Sequence, residues 1–167
     1  MMTLEPPRGQ GADDATDSDN WRALGLSRGG LSRFVAAAQS ALGMRGEVSV
    51  LLAGDRTLRR LNREFRGKDK ATDVLSFPAA EEMVEEFAGD LAISLDTARR
   101  QAAAHGHTLR DEVRVLLLHG LLHLDGMDHE TDHGEMAAKE AELRTRLRLP
   151  NSLIARVTKG RKSGAAA

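Results

Sequence analysis

The chain has 167 residues, no cysteine and a near balance of 24 basic and 25 acidic side chains. That length supports one domain with a single core, and the absence of thiols excludes disulfides and thiolate metal sites. The net charge of −1 excludes a whole-molecule field for nucleic acid, so any RNA site must be a local basic patch.

Four phenylalanines, one tryptophan and no tyrosine argue against base stacking as the main way of holding RNA. No run approaches the ~18 apolar residues of a membrane span, and no leader is recognisable. The expectation is a soluble cytoplasmic protein with no membrane partner.

Residues 1–20 are rich in Gly, Pro, Asp and Ser without apolar periodicity, which predicts a disordered N-terminal segment. Leu31, Phe34, Val35, Ala38 and Leu42 then follow a helical period, with Gly43 as the stop. A half-buried strand is expected over Glu47 to Leu52. Asp55 is placed to cap a helix carrying Leu58, Leu61, Asn62 and Phe65, which ends at Gly67 and leaves Arg66 at its terminus.

A polar loop, Gly67 to Thr72, leads into a short strand, Asp73 to Phe77, closed by Pro78. The acidic run Glu81 to Glu86 reads as a solvated connection, Gly89 to Ser94 as a strand, and Asp96 as the cap of a helix reaching Ala104. Thr108 and Asp111 form a capping-box-like start for a helix to Leu124 that is apolar nearly all round and therefore buried. A last helix from His133 to Leu147 carries Met136, Leu143 and Leu147 on one face, interrupted by Glu140, and is expected at the surface.

The order of elements gives an α+β fold: a small mixed β-sheet of about four strands with surrounding helices and a buried metal-binding helix. One domain is expected over 21–153, followed by a loose basic tail over 154–167.

Four of the six histidines lie between His119 and His133. His119 and His123, four apart, occupy one helix face a turn from each other, where two imidazoles can share a metal. Each would otherwise need its own partner in the most apolar helix of the chain, because an unsatisfied buried polar group costs ~1 to 3 kcal/mol. Gly126 permits a left-handed turn that brings back His129 as a third nitrogen. Three histidines with one open position describe a catalytic site for one metal ion per chain; zinc, as Zn2+, is preferred for imidazole ligands without thiolates, although nickel or copper could bind the same nitrogens.

The spacing is similar to the zinc-peptidase motif H-E-x-x-H-x-x-G-x-x-H, except that Gly120 stands in place of the glutamate base. Asp128 is placed either to orient a ligand imidazole or to cap the final helix. His105 and His107 read as solvated. Arg66, with Lys68 and Lys70 close behind, either balances a helix end or forms the local basic patch.

The stretch His119-Gly-Leu-Leu-His123-Leu-Asp-Gly-Met-Asp-His129 resembles the H-G-x-L-H-L-x-G-Y-D-H signature of the YbeY family, bacterial zinc-dependent endoribonucleases that mature ribosomal RNA. Leu61-Asn-Arg-Glu-Phe-Arg66-Gly-Lys-Asp-Lys-Ala-Thr-Asp-Val-Leu-Ser-Phe-Pro78 and Gly89-Asp-Leu-Ala-Ile-Ser94 are similar to two further blocks of that family. Met127 replaces its usual aromatic, and the segment before Trp21 is unlike its first strand.

The resemblance implies that Arg66 is catalytic and that the substrate is precursor ribosomal RNA, cleaved near the 3′ end of the small-subunit RNA. The small ribosomal subunit and the GTPase Era are the implied partners. Two rival expectations are a non-catalytic ribosome-assembly factor stabilised by zinc and a zinc peptidase-like hydrolase.

Overall fold

The computed structural model describes residues 1–5, 20–151 and 153–156. Four strands form one mixed sheet: β1 (Met2–Leu4), β2 (Glu47–Ala53), β3 (Val74–Pro78) and β4 (Phe87–Ser94). Their order is β1-β2-β4-β3, with β1 and β4 parallel to β2 and β3 antiparallel to β4. The helices are α1 (Arg28–Leu42), α2 (Asp55–Arg66), α3 (Leu95–His105), α4 (Leu109–Leu124) and α5 (Glu135–Arg146). This is the α+β fold with four strands that the order of apolar patterns implies.

Strand alternation assigns the two faces of the sheet to different helices. Val50, Leu52, Leu91 and Ile93 face the larger core with α1 and α4, whereas Ala53, Leu75 and Ala92 meet Leu58 of α2 on the other side. The apolar circumference of α4 is used throughout, since it packs on β3 and β4 and is covered by α1, α3 and α5. Leu116, Leu117, Leu118, Leu121 and Leu122 are all buried, each worth roughly 1.5 to 3 kcal/mol relative to an exposed position. The metal-binding segment therefore stands on the most firmly packed element of the molecule.

Several boundaries differ from those expected. The first five residues are not part of a disordered segment: Met2–Leu4 is an edge strand in register with Val50 to Leu52, and Met2 and Leu4 are buried. Three residues are too few to show a period. The expected disorder over the rest of that segment falls on 6–19, which lie outside the described residues.

Residues 154–156, expected in a loose basic tail, are ordered instead. Residues 153–156 form a helical turn against the body, while 157–167 lie outside the described residues.

Asp55 and Asp96 are not N-caps, because Gly54 and Ser94 hold those positions and the two acids sit in the first helical turns. Asp55 instead accepts from Ser94, Thr97 and Arg100, which ties α2 to α3. The α5 helix starts at Glu135, and Met136 and Leu143 are fully buried rather than superficial.

Candidate metal centre

Thr108 caps α4 by accepting from the Asp111 amide, as its capping-box spacing requires. Fifteen residues on from Thr108, His123 lies one turn beyond His119 on the face turned toward α5 and the following loop. The chain leaves the helix at Asp125 and reverses through Gly126, whose φ of +90° is in the left-handed region. His129 thereby returns to the same place. The three rings lie with centroids 4.7 to 5.5 Å apart, and one nitrogen from each falls within 4.8 Å of the other two.

The hydrogen bonds determine which nitrogens are available. His119 Nδ1 lies 2.7 Å from the Glu140 carboxylate, and His123 Nδ1 lies 2.9 Å from the Met127 carbonyl. An ionised carboxylate and a carbonyl only accept, so both Nδ1 atoms carry the proton. Both Nε2 atoms then present lone pairs to each other across 3.1 Å.

That arrangement is repulsive unless a cation lies between the lone pairs. Two nitrogens on a tetrahedral zinc with bonds of 2.0 to 2.1 Å are about 3.3 Å apart. His129 Nδ1 is buried and has no hydrogen-bond partner among the described residues, an unsatisfied polar atom on the third histidine of the trio. Burial, then the neighbouring His119, push the His123 imidazole below its ordinary pKa, so it is kept neutral as a metal ligand must be. The residues fit a divalent metal, and an all-imidazole set without thiolate fits zinc.

The histidines stand in an open cleft of about 800 Å3. Arg66, exposed at the end of α2, lines the same cleft although 53 positions separate it from His119 in sequence. Asn62 is responsible for this placement: it is buried, and its side-chain amide donates to the Lys70 carbonyl, which fixes the loop after the helix. Asp73 and Ser76 are also structural, accepting from the Val74 amide and donating to the Gly120 carbonyl respectively.

A scan of family models matches residues 28–148 to a family described as endoribonuclease YbeY. Curated relatives with that name include one from Koribacter versatilis, 55% identical over 86% of this chain and 93% of its own length. Another, from Nautilia profundicola, is 54% identical over 66% of this chain and 78% of its own. A third, from Solibacter usitatus, is 49% identical over 79% and 87%.

The chain belongs to the endoribonuclease YbeY family.

In this YbeY-family chain, Gly120 is explained by packing. A Cβ there would lie 2.8 Å from Leu91 Cδ2 and 3.4 Å from Ser76 Oγ, so position 120 is pressed against the sheet. A glutamate at that position would first have to displace Leu91, so the packing disfavours the peptidase arrangement.

The remaining predicted residues separate by position. Asp128 lines the cleft, but its Oδ1 accepts from the Glu130 amide and its carbonyl accepts from Thr131 and Asp132. It shapes the turn that carries His129, and among the described residues it makes no hydrogen bond to a ligand imidazole. Lys68 and Lys70 are exposed and do not line the histidine cleft.

The residue that does hold a ligand is Glu140, which the sequence pattern had shown only as a break in the α5 stripe. It is buried, with Oε2 on His119 and Oε1 accepting from the Ile154 amide. An acid at a core-facing helical position was the available signal, since a buried carboxylate must be paired.

His107 was also misplaced as solvated. Its side chain is 8% exposed, and Nε2 lies 2.6 Å from Glu112, which Arg156 grips with two nitrogens at 2.6 and 2.9 Å. His105, by contrast, is exposed and lines the cleft.

Proposed function

We propose that the protein is a zinc-dependent, single-strand-specific endoribonuclease that matures ribosomal RNA, acting at the 3′ end of the small-subunit RNA. The observation that carries this reading is the convergence of three imidazoles and the Arg66 guanidinium on one open cleft. Zinc, when bound, supplies Lewis-acid stabilisation of charge on a phosphodiester.

Each side chain has a role on such a substrate. His119, His123 and His129 bring no negative charge, so the site retains a net positive charge and favours an anion. Arg66 offers a planar fork of donors to non-bridging phosphate oxygens, and it stabilises charge that grows there in the transition state. Asp128 Oδ2 has no hydrogen-bond partner among the described residues and lies in the cleft. Hydroxide, a substrate 2′-hydroxyl or Asp128 acting as a proton acceptor could initiate the attack.

Small ribosomal subunits and the GTPase Era are the proposed partners, and the cytoplasm the proposed location. Among the described residues no helix is long and apolar enough to cross a membrane.

The test is purified, metal-quantified protein incubated with precursor ribosomal RNA, using wild type, Arg66→Ala, Arg66→Lys and His123→Ala. His123→Ala should lose most of its zinc and all cleavage above background. Arg66→Ala should retain zinc and melting temperature while cleaving ~100-fold to 1000-fold more slowly, the scale for a lost oxyanion donor. Lysine should rescue only in part. Equal rates in all four proteins would mean contaminating nuclease, leaving a zinc-stabilised assembly factor as the reading.

A further inference from the structure

The α2 helix, Asp-Arg-Thr-Leu-Arg-Arg-Leu-Asn-Arg-Glu-Phe-Arg, carries five arginines. At 100° per residue, Arg56, Arg59, Arg60, Arg63 and Arg66 fall within an arc of about 120°. All five are exposed, while Thr57, Leu58 and Asn62 on the opposite side are buried. The sequence that ends in the cleft arginine is therefore one face of a continuous basic stripe. This stripe is the local patch that a net charge of −1 conceals.

The stripe is electrostatically unfavourable for the free protein. Arg56 and Arg60, like Arg59 and Arg63, are i,i+4 pairs of like charge, and Arg56 lies in the first helical turn, where the dipole disfavours a cation. Arg59 is offset by Asp69, with contacts of 2.8 and 3.2 Å. Arg56, Arg60 and Arg63 have no carboxylate at ion-pair distance among the described residues.

These three arginines line a recess of about 760 Å3. Its two carboxylates are engaged elsewhere: Glu5 accepts from Thr57 and the Gly54 amide, and Asp96 from the Asp55 amide. Four arginines, Arg59 among them, against two carboxylates leave the recess an excess of positive charge, and a row of outward-facing cations beside it suits a polyanion.

We propose that this face of α2 is a track for the phosphate backbone of single-stranded RNA, leading the strand past Arg56, Arg60 and Arg63 to Arg66 and the histidines. The inference rests on the endoribonuclease reading and extends it. Arg56 to Arg66 covers about 15 Å of helix axis, so the track adds several phosphates to those the cleft can hold. No aromatic ring lies on the stripe, so contact is with phosphates and is indifferent to base sequence.

Binding, not cleavage, tests it. A 2′-O-methyl oligouridylate long enough to cover cleft and helix is titrated with wild-type protein across a series of salt concentrations. The same titration is made with Arg56→Gln/Arg60→Gln/Arg63→Gln and with a control, Arg22→Gln/Arg45→Gln/Arg110→Gln, which removes equal charge from exposed positions elsewhere. Each phosphate contact on a single strand contributes about −0.7 to the slope of log K against log salt, so the stripe variant should lose about 2 from that slope. Its affinity at low salt should fall at least tenfold, with zinc content and melting temperature retained.

The control variant should keep the wild-type slope. An equal loss in the control, or no binding by the wild type, overturns the track, as does displacement of the RNA by poly-glutamate at equal charge concentration, which would make the partner an acidic protein. Because no cleavage is read, a protein that binds in this manner and cuts nothing would refute the nuclease activity while leaving the track standing.

Discussion

Glu140 accepts the Nδ1 proton of His119 at 2.7 Å, and its other oxygen accepts from the backbone amide of Ile154 at 2.8 Å. One buried carboxylate thus fixes the tautomer of the first metal ligand and docks the residues that follow α5. The imidazole presents Nε2 because its other nitrogen is committed. Carboxylate partners of this kind typically change metal affinity 10-fold to 100-fold when removed. Glu140→Ala should weaken zinc by that factor, read by chelator competition, and Glu140→Gln by less because an acceptor remains. Unchanged zinc affinity in the alanine variant would mean that the ring is held by its helix alone.

Gly120 has the opposite character, being required for what it lacks. A methyl there gains about 1 kcal/mol of helix propensity but meets Leu91 at 2.8 Å in a closed core, where overpacking costs ~1 to 3 kcal/mol. Gly120→Ala should therefore be neutral to destabilising by about 2 kcal/mol in chemical denaturation. Gly120→Glu, which completes the peptidase motif in sequence, should be severely destabilised because it drives a charge against the sheet. It should hydrolyse no peptide. A folded Gly120→Glu variant with casein-degrading activity would contradict this packing.

The metal trio could be read from the sequence because its information is local: spacings of four and six residues on and just beyond one helix, with a glycine at the turn. Helix α4 was readable for a similar reason, since an apolar circumference has few explanations. Glu140, His107 and Arg156 were not, because each is explained by a partner distant in sequence. Arg156 and Glu112 are 44 positions apart, and Glu140 and His119 are 21 apart. An acid on a helix reads as solvated until something shows which side of the helix is covered. The first strand was illegible for want of length, Met2–Leu4 being held by its ladder to β2 rather than by any pattern of its own.

The acid limb of the stability profile should depend on Asp55. Burial opposes its ionisation, but hydrogen bonds from Ser94 and Thr97, then Arg100, hold its carboxyl below the usual carboxylate range. A depressed folded-state pKa stabilises the protein above the unfolded value of about 3.9 and is lost as pH falls through the folded value. Asp55→Asn should therefore lower the urea midpoint at neutral pH, with the two proteins converging as pH drops below about 4. A gap that stays constant down to acid unfolding would assign the effect to shape rather than charge.

The last prediction concerns Arg156, where the chain closes the cleft. Glu112 is fully buried, and its carboxylate is shared between the two Arg156 nitrogens and His107. The pair holds 153–156 against the start of α4, and Leu153, Ile154 and Arg156 form a wall of the cleft that contains the histidines. Removing one partner of a buried pair strands the other charge, at a cost of ~3 to 5 kcal/mol. Arg156→Ala should lose stability on that scale, and Glu112→Gln in the same chain should recover part of it, because the stranded charge is gone. The same variant should also bind zinc more weakly than wild type, since Ile154 would no longer hold Glu140 against His119. Calorimetric melting and chelator competition on the single and double variants separate the two effects. Full stability and full zinc affinity in Arg156→Ala would show that the wall is not built on this ion pair.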